Sequence, residues 1–541
     1  MRLEFNPKTR AFLLFVPRVE ADIKTLMEDH GLDFAPASST PSEGCLFTRE
    51  PYAAAAFASY ATPSAAHELT AITAQIEASW AKDSDAHILC PPDKELAPFQ
   101  KAGVAYALGR QNTIFGDVPG LGKTMQAICL ANELQAKRVL VICPANIRLQ
   151  WMTRIREWST MRWPYVIYPI LHGRHGVHPN AQWTIVSYDL ARASAIGKAL
   201  AKGSYDLLIL DEGHYLKTVD AQRTRAIFGG GSEELFQPLA ERCGSIVALT
   251  GTPLPNRPRE AYTLLRGLDF ASIDFMSEHG FGERFNPRQQ VELPDGGFYI
   301  REGTGRHGEL QSRMRANVMV RREKRGPNGV ANQLKIPLFD IVQMEETGPV
   351  KQALAAERLL DIDPENLSGA DAKVMGEIAT VRRLMGLAIA PQAVEYIKML
   401  LEGGEEKIVV FAWHRQVLDV LQQRLAHYGT LRIDGSIGAA QKQKLVDQFI
   451  SDPSKRIILG NLLSMGTGTD GLQQVSSRAV FVEPDWVPGN NQQGVDRLDR
   501  WGQEGDVLAD FLVAPGSILE KILASALRKN LTTHKALDRR M

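Results

Sequence analysis

Cysteine, net charge and long apolar runs are all scarce in this chain of 541 residues. The five cysteines stand singly, without a Cys-x-x-Cys pair, which argues against a zinc ribbon and against a disulfide framework. Basic and acidic residues balance at 62 each, so any nucleic-acid groove must be formed by local clusters. No apolar run approaches the roughly 18 residues of a membrane span, and the start shows no signal-peptide pattern. We therefore expect a cytoplasmic protein.

The patterns that are present divide the chain into four regions. Residues 1–88 predict a small α+β module, and residues 271–400 predict an insertion followed by helices. Residues 89–270 and 401–541 each contain short β-branched runs separated by helical segments, which is typical of a parallel sheet with crossover helices. The expected fold class is therefore α/β, with two parallel-sheet domains in tandem. For the small module we expect strands at 10–16 and 44–49 and helices at 19–30, 51–60 and 65–80.

A glycine-rich turn opens the first helix of the first α/β region. Gly120-Leu121-Gly122-Lys123-Thr124 follows the apolar stretch 112–115 and precedes an apolar helix. In such loops the backbone amides surround phosphate oxygens, the lysine reaches the β and γ phosphates, and the threonine hydroxyl binds Mg²⁺. The strict motif requires a small residue where Asp117 stands. Taken alone, the motif also fits a strand-to-helix turn without ligand.

An acidic pair ends a second apolar strand of the same region. Asp211 and Glu212 follow the run 205–210. The first carboxylate at such a strand end can reach Mg²⁺, and the second can orient or deprotonate an attacking water. A solvated helix start is the alternative interpretation of this pair. Both motifs within one α/β region favour a nucleoside-triphosphate site with Mg²⁺ as the metal.

With these motifs the chain resembles the helicase superfamily two ATPases, and among them the SWI/SNF-like DNA translocases, from about Leu96 to Lys529. The resemblance implies two RecA-like domains. The segment 96–103 resembles the adenine-reading segment, with Gln100 in the reading position. The loop 117–124 is close to the loop of this family, which also carries Asp at its start. The segment 139–144, followed by Gln150-Trp151 and Glu157-Trp158, resembles a DNA-facing motif.

The resemblance also implies which residues couple hydrolysis to DNA movement and which reach the nucleotide from the second domain. His214 of the acidic box and Thr250, Gly251 and Thr252 of the segment 248–256 correspond to residues that link hydrolysis to DNA movement. In the second domain, the segments 407–414, 433–436 and 483–488 resemble further motifs of the family. They lead to the segment 493–503, in which Gln493 is expected at the nucleotide. Arg497 and Arg500 would reach the γ phosphate across the cleft and stabilise transition-state charge when the cleft closes. A basic helix face is the alternative interpretation of an Arg-x-x-Arg pattern alone.

Two segments depart from the family pattern. Thr469-Asp470 breaks the register of the glycine-rich segment 463–472. Asp499 replaces the usual histidine between the two arginines, and we expect it to hold one of them in an ion pair when the cleft is open. The sequence thus specifies ATP binding more closely than the coupling of ATP hydrolysis to DNA movement.

The middle of the chain indicates a subfamily. The segments 281–285, 309–310, 318–324 and 378–388 resemble the HARP-type (HepA-related) annealing helicases, and the N-terminal module has the layout of the substrate-recognition repeat of that group. Arg321, Arg322 and Lys324 lie in a basic cluster that is predicted to contact DNA phosphates without reading sequence. A second basic cluster comprises Lys521, Arg528, Lys529, Lys535, Arg539 and Arg540, for which a solvated charged face is the alternative.

The predicted function is an ATP-hydrolysing translocase on double-stranded or fork-like DNA, acting independently of sequence and without a membrane partner. One alternative is an ATP-dependent remodeller of a protein–nucleic-acid complex such as stalled RNA polymerase. Another is a nucleotide-binding scaffold that tethers DNA without turnover. The brevity of the chain favours a bacterial or phage member, located in the nucleoid or in the cytoplasm of an infected cell.

Overall fold

The computed structural model describes residues 1–526 except 18–19, 36–42, 162–164, 231–235, 252, 255–256, 293–297, 303–304, 326–328, 332–336, 359–371, 466–468, 470 and 501–502. Thr252, Asp470 and most of the C-terminal basic cluster, from Arg528 onward, lie outside the described residues.

A small antiparallel sheet with helices forms the N-terminal module. Its elements are β1 (Arg2–Asn6), β2 (Ala11–Pro17), α1 (Glu20–His30), β3 (Asp33–Phe34), β4 (Glu43–Thr48), α2 (Pro51–Ala55) and α3 (Pro63–Trp80). The strand order is β1-β2-β4-β3, and all pairs are antiparallel. Sequence patterning missed β1, a short strand that is fixed by pairing with β2 and by burial of Leu3.

A seven-stranded parallel sheet forms the core of the first large domain. Its elements are α4 (Pro98–Leu108), β5 (Asn112–Phe115), α5 (Lys123–Glu133), β6 (Val139–Cys143), α6 (Arg148–Trp158), β7 (Ile167–Pro169), β8 (Trp183–Ser187), α7 (Tyr188–Ala191), α8 (Ser194–Ala201), β9 (Tyr205–Asp211), α9 (Gln222–Phe228), β10 (Cys243–Leu249), α10 (Tyr262–Asp269), α11 (Glu278–Phe285), β11 (Arg288–Glu292), β12 (Phe298–Glu302), α12 (His307–Asn317) and β13 (Met319–Val320). The strand order is β13-β5-β10-β9-β6-β8-β7. Successive residues of the central strands face opposite sides of the sheet, so Leu208 and Ile209 are buried in separate hydrophobic clusters.

A six-stranded parallel sheet forms the second large domain. Its elements are β14 (Leu338–Gln343), α13 (Gly348–Arg358), α14 (Ala372–Glu402), β15 (Ile408–Phe411), α15 (Arg415–Arg424), β16 (Leu431–Ile433), α16 (Ala439–Ser451), β17 (Ile457–Gly460), α17 (Leu462–Met465), β18 (Arg478–Phe481), α18 (Pro488–Val495) and β19 (Leu508–Val513). The strand order is β14-β19-β18-β15-β17-β16. Stacked rings of Phe411, Phe481 and Phe511, with centroids 4.9 and 4.4 Å apart, fill one side of this sheet.

The predicted fold class is confirmed, because two parallel sheets follow a small antiparallel one. The region predicted as an insertion contributes to both large sheets, since β13 pairs with β5 and β14 pairs with β19. These are edge strands, and β13 has only two residues. The connection between the domains is therefore bound to the sheet edge next to β5, which leads into the glycine-rich loop.

Among the residues that the structure describes, one helix is long and apolar enough to cross a membrane by length and composition alone. It is the part of α14 from Gly376 to Glu402, and half of its most apolar window is buried inside the protein. Met385, Ile389 and Ile397 of this helix are fully buried in the hydrophobic cluster of the second domain. This packing identifies α14 as a core helix.

Ion pairs and an aromatic contact attach the N-terminal module to the first large domain. Arg49 pairs with Asp274 at 3.0 Å. Arg10 donates to the side-chain oxygen of Asn317 at 2.8 Å. At the end of α3, the guanidinium of Arg315 lies 3.2 Å from the ring centroid of Trp80. The module is thus docked on α12 and its surroundings, on the domain that carries the glycine-rich loop.

Candidate active site

A cavity of about 300 Å³ lies between the two large domains and gathers most of the predicted site residues. The first domain contributes the glycine-rich loop, the acidic pair and the end of β10. The second domain contributes the arginine segment that follows α18. The predicted residues that line the cavity are Gly120, Gly122, Lys123, Thr124, Asp211, Glu212, Gly251, Gln493, Arg497 and Arg500.

The glycine-rich loop has the backbone that a phosphate-binding turn requires. Gly120 and Gly122 have φ angles of +86° and +76°, a region that side-chain-bearing residues rarely adopt. A Cβ at Gly122 would also collide with the side chain of Gln100. Lys123 Nζ donates to the carbonyl oxygen of Asp117 at 2.7 Å. Burial lowers the pKa of Lys123, although Glu212 and Asp117 oppose this effect.

Gln100 touches the loop and does not line the cavity. Its side-chain oxygen accepts from Ala97 N at 2.9 Å, at the start of α4, and its amide donates to the carbonyl of Leu121 at 3.0 Å. Its expected contact with an adenine stays a prediction.

The acidic pair lies at the end of β9, within the cavity. Trp151 Nε1 donates to Asp211 Oδ2 at 2.7 Å, and the backbone amide of Glu212 donates to Asp211 Oδ1 at 2.9 Å. Glu212 has a φ of +53°, and such strain in a residue with a side chain is concentrated at functional sites. Burial and the neighbouring Glu212 raise the pKa of Asp211. Burial also raises the pKa of Glu212, and Lys123 and the two arginines oppose that rise.

These groups fit a Mg·nucleotide complex. A buried carboxylate with a raised pKa gains from a bound cation, and Thr124 adds a hydroxyl oxygen on the same cavity wall. Within the described ranges there is no group of three or more His, Cys, Asp or Glu that could hold a metal by itself. Mg²⁺ is commonly held by one or two carboxylates together with substrate phosphates and water, so this donor set suits it. Asp211 and Thr124 would hold the ion.

His214 connects the acidic pair to the end of β10. Its Nδ1 lies 3.1 Å from Thr250 Oγ1 and 3.3 Å from Glu212 Oε2. Burial, reinforced by Lys217, lowers the pKa of His214 to about 4, so the ring is neutral near pH 7. Of the other residues expected to couple hydrolysis to movement, Gly251 lines the cavity and Thr252 lies outside the described residues.

Both predicted catalytic arginines line the cavity, and their role in catalysis stays a prediction. Arg497 Nη1 donates to the carbonyl of Thr469 at 3.2 Å, and Arg500 Nε donates to the carbonyl of Asp496 at 2.7 Å. Their charges act on Glu212 across the cleft. Residues separated by nearly the whole length of the two domains are therefore brought to one cavity.

The predicted DNA contacts of Arg321, Arg322 and Lys324 are contradicted by the structure. Their exposed fractions are 3%, 0% and 6%. Arg321 donates to the carbonyl of Gly251 at 3.0 Å, and the other two bind carboxylates inside the protein. Because these cations are buried and already bound, they cannot reach phosphates of a duplex on the surface.

Asp117, which the sequence predicts to bind the nucleotide, lies elsewhere in the structure. Its carboxylate is completely buried and accepts from Arg322 Nη2 at 2.6 Å and from Gln126 Nε2 at 2.9 Å. It therefore supports the loop from behind and does not face the cavity. Asp499 is held here by two cations of the first domain, Lys324 and Arg325. Its expected ion pair with a cavity arginine concerns the open cleft and stays a prediction.

Sequence reasoning missed the contribution of Trp151. The sequence places it in a DNA-facing motif, whereas the structure buries it, with 2% exposure, against the carboxylate of Asp211. The two residues are 60 positions apart, and no local pattern signals their contact. Gln150, Arg154 and Gln473 also line the cavity.

Comparisons with known proteins agree with this architecture. Residues 99–326 match the SNF2-related domain, and residues 392–502 match the helicase conserved C-terminal domain. The chain is 29% identical to the mouse protein "DNA annealing helicase and endonuclease ZRANB3", over 83% of this chain and 42% of that protein. It is 31% identical to the Xenopus tropicalis "SWI/SNF-related matrix-associated actin-dependent regulator of chromatin subfamily A-like protein 1", over 78% of this chain and 43% of that protein.

The chain spans about two fifths of the length of these relatives. Among solved structures, the "Sulfolobus solfataricus SWI2/SNF2 ATPase core in complex with dsDNA" aligns with 84% of this chain and all of that chain, at 17% identity and a TM-score of 0.39. The first matched region contains every strand of the seven-stranded sheet, and the second contains four of the six strands of the other sheet, β15–β18. The predicted site residues lie on both sides of the cleft between the two domains. The chain therefore belongs to the SNF2-related members of helicase superfamily two.

Proposed function

We propose that this protein is an ATP-dependent translocase on double-stranded or branched DNA, with ATP and Mg²⁺ as cofactors. The observation that carries the proposal is the single cavity lined by Lys123 and Glu212 from one domain and by Arg497 and Arg500 from the other. A site divided in this way is complete only when the two domains meet, so hydrolysis is linked to domain closure.

Each side chain has a chemical role in this proposal. Lys123 and the loop amides bind the β and γ phosphates, and Mg²⁺ bound by Asp211 and Thr124 would neutralise phosphate charge. Glu212 orients or deprotonates the attacking water, and the two arginines stabilise the charge that develops on the γ phosphate. Neutral His214 contacts both Glu212 and Thr250. It would therefore transmit a change at Glu212 during hydrolysis to the end of β10.

Movement on DNA would follow from repeated opening and closing of the cleft. One of the relatives named above is a DNA annealing helicase, which supports DNA as the partner. Contacts with backbone phosphates would make binding independent of sequence and sensitive to salt. The buried Arg321, Arg322 and Lys324 leave these contacts to other residues.

Several finer points stay predictions. The relatives named above are animal proteins, and they lend no support to a bacterial or phage origin. A HARP-type role of the N-terminal module, the cytoplasmic location and the domain boundaries at 88, 270 and 400 likewise stay predictions.

Release of phosphate in the presence and absence of DNA tests the proposed function. We expect duplex or fork-junction DNA to stimulate release more strongly than single-stranded RNA, and the stimulation to fall steeply with salt. Lys123→Ala serves as the control for contaminating activity. Stimulation only by a protein-bound complex would favour the remodelling alternative, and binding of nucleotide without release would favour the scaffold.

A further inference from the structure

Two cations of the first domain hold the arginine segment of the second domain. Lys324 Nζ donates to Asp496 Oδ1 at 2.7 Å and to Asp499 Oδ2 at 2.9 Å. Arg325 Nη1 donates to Asp499 Oδ2 at 2.9 Å, and its Nη2 binds the other oxygen of the same carboxylate. We call Lys324, Arg325, Asp496 and Asp499 the interdomain latch.

The latch is joined directly to the predicted catalytic arginines. Asp496 immediately precedes Arg497, and Asp499 immediately precedes Arg500. The carbonyl of Asp496 also accepts from Arg500 Nε at 2.7 Å. We propose that the interdomain latch positions Arg497 and Arg500 in the nucleotide cleft, an inference that rests on the proposed ATPase function.

Burial makes these ion pairs strong determinants of domain position. The side chains of Lys324, Asp496 and Asp499 are exposed by only 6%, 3% and 3%. Burial acts to raise the pKa of Asp499, but the hydrogen bond from Arg325 and the charge of Lys324 outweigh it and lower the pKa. A charge left in such surroundings without its partner is costly, so removing one member destabilises the arrangement of the others.

The segment that leads into the latch is hydrogen-bonded to the nucleotide loop. The segment that carries Lys324 runs beside the loop, with Gly116 N donating to Val320 O at 2.8 Å and Val118 N donating to Arg322 O at 3.2 Å. A Cβ at Gly120 would lie 3.5 Å from Lys324 Cε. The loop, the latch and the arginines thus form one continuous set of contacts.

The latch therefore acts on the arginines and not on the nucleotide itself. Opening the cleft requires the four latch residues to separate, and closing it brings the arginines back to the same place. Lys324 and Asp499 are positioning residues in this account, because Lys123, Thr124 and the loop amides bind the nucleotide from the first domain alone.

Kinetics of latch variants test the positioning role. Asp499→Asn and Lys324→Gln should each lower turnover about 10- to 100-fold, the effect of a catalytic group that is present but misplaced. Nucleotide affinity should change much less. The variant Asp499→Glu, which keeps the negative charge, should lose less turnover than Asp499→Asn. Asp510→Asn, which breaks the buried pair with Arg478 (2.8 Å) within the second domain, is the matched control and should retain parental turnover.

Distance measurements test the latch without any hydrolysis. Spin labels on Leu134→Cys and Met399→Cys, two exposed positions on different domains, report domain separation in the nucleotide-free protein. The background would replace the partly exposed Cys90 and Cys243 with serine. We expect one narrow distance distribution in the parent and a broad one in Asp499→Asn.

Either of two results would overturn the proposal. An unchanged distance distribution in Asp499→Asn would show that the latch does not hold the domains, and unchanged turnover would show that it does not position the arginines. If the parent protein hydrolyses no ATP, the proposed function fails, while the distance measurement still decides whether the latch exists.

Discussion

Asp117 Oδ2 lies 2.6 Å from Arg322 Nη2, and neither side chain is exposed to solvent. The pair joins the nucleotide loop to the segment after β13, 205 residues further along the chain. The sequence suggested separate roles for these residues, one at the nucleotide and one at DNA. In the structure they form a single support behind the loop.

Removing one member of this pair should destabilise the first domain. Asp117→Ala leaves the guanidinium of Arg322 buried without its carboxylate, so the free energy of unfolding should fall by about 3–5 kcal/mol. Replacing both members, as in Asp117→Leu with Arg322→Met, should recover much of that loss. Chemical unfolding of each variant measures the effect. Asp189→Ala, which removes an exposed pair with Arg192, is the control and should cost less than about 1 kcal/mol.

Lys123→Ala should abolish ATP hydrolysis and leave the fold intact. The substitution removes the charge partner of the β and γ phosphates, and with it the hydrogen bond that Lys123 donates to the Asp117 carbonyl. Phosphate release and circular dichroism together measure this. Parental turnover in a folded Lys123→Ala protein would show that the loop is not the phosphate site.

Glu212→Gln should retain ATP binding and lose turnover. The amide keeps the shape of the side chain but cannot accept the proton of the attacking water. Nucleotide binding by fluorescence and phosphate release should therefore separate in this variant. If it hydrolyses ATP at the parental rate, Glu212 is not the acid that acts on the water.

The N-terminal module should show a pH-dependent stability caused by Glu50. Burial, and then the charge of Glu309, raise the pKa of Glu50 to about 7, and Glu50 Oε1 has no hydrogen-bond partner among the residues that the structure describes. A carboxyl whose pKa is raised on folding stabilises the native state below its unfolded pKa, and that contribution is lost as the pH rises through the folded value. Stability should thus fall between about pH 4.5 and about pH 7.

Thermal unfolding at several pH values tests this prediction. Glu50→Gln should weaken the dependence and stabilise the protein at pH 8 by roughly 1–3 kcal/mol. Glu95→Gln, at an exposed position, should keep the parental pH dependence because Glu50 is untouched. A parental profile in Glu50→Gln would assign the pH dependence to other groups.

The sequence predicted the fold class, the glycine-rich loop and the acidic pair because all three are encoded locally, whereas the places of Arg497 and Arg500 followed from the family resemblance. Short β-branched runs specify the parallel strands. Four residues separate the end of β5 from Gly-x-Gly-Lys-Thr, and Asp211 and Glu212 lie at the end of β9. In a parallel sheet the carboxyl ends of the strands meet at one edge, so the loop and the acids come together wherever the strands pair.

The sequence could not predict the long-range contacts between charged groups. A run such as Arg321-Arg322-Glu323-Lys324 has the composition of a solvated or phosphate-binding surface, and nothing local shows that it follows the sheet-edge strand β13. Its burial depends on partners far away in the chain, Asp117 and Asp499. The contact of Trp151 with Asp211 is of the same kind, because it is set by the packing of α6 on the sheet.

Turnover and nucleotide affinity, measured separately for Arg497→Ala and Arg500→Ala, test the central claim that the two domains share one ATP site. Removing either arginine should cost about 10³-fold or more in turnover, as for other arginine fingers. Nucleotide affinity should change far less, because the loop and Lys123 bind the phosphates within the first domain. Arg424→Ala, on an exposed helix position of the second domain, should retain parental turnover. Near-parental turnover in both cleft variants would contradict the account and assign the arginines to structural contacts.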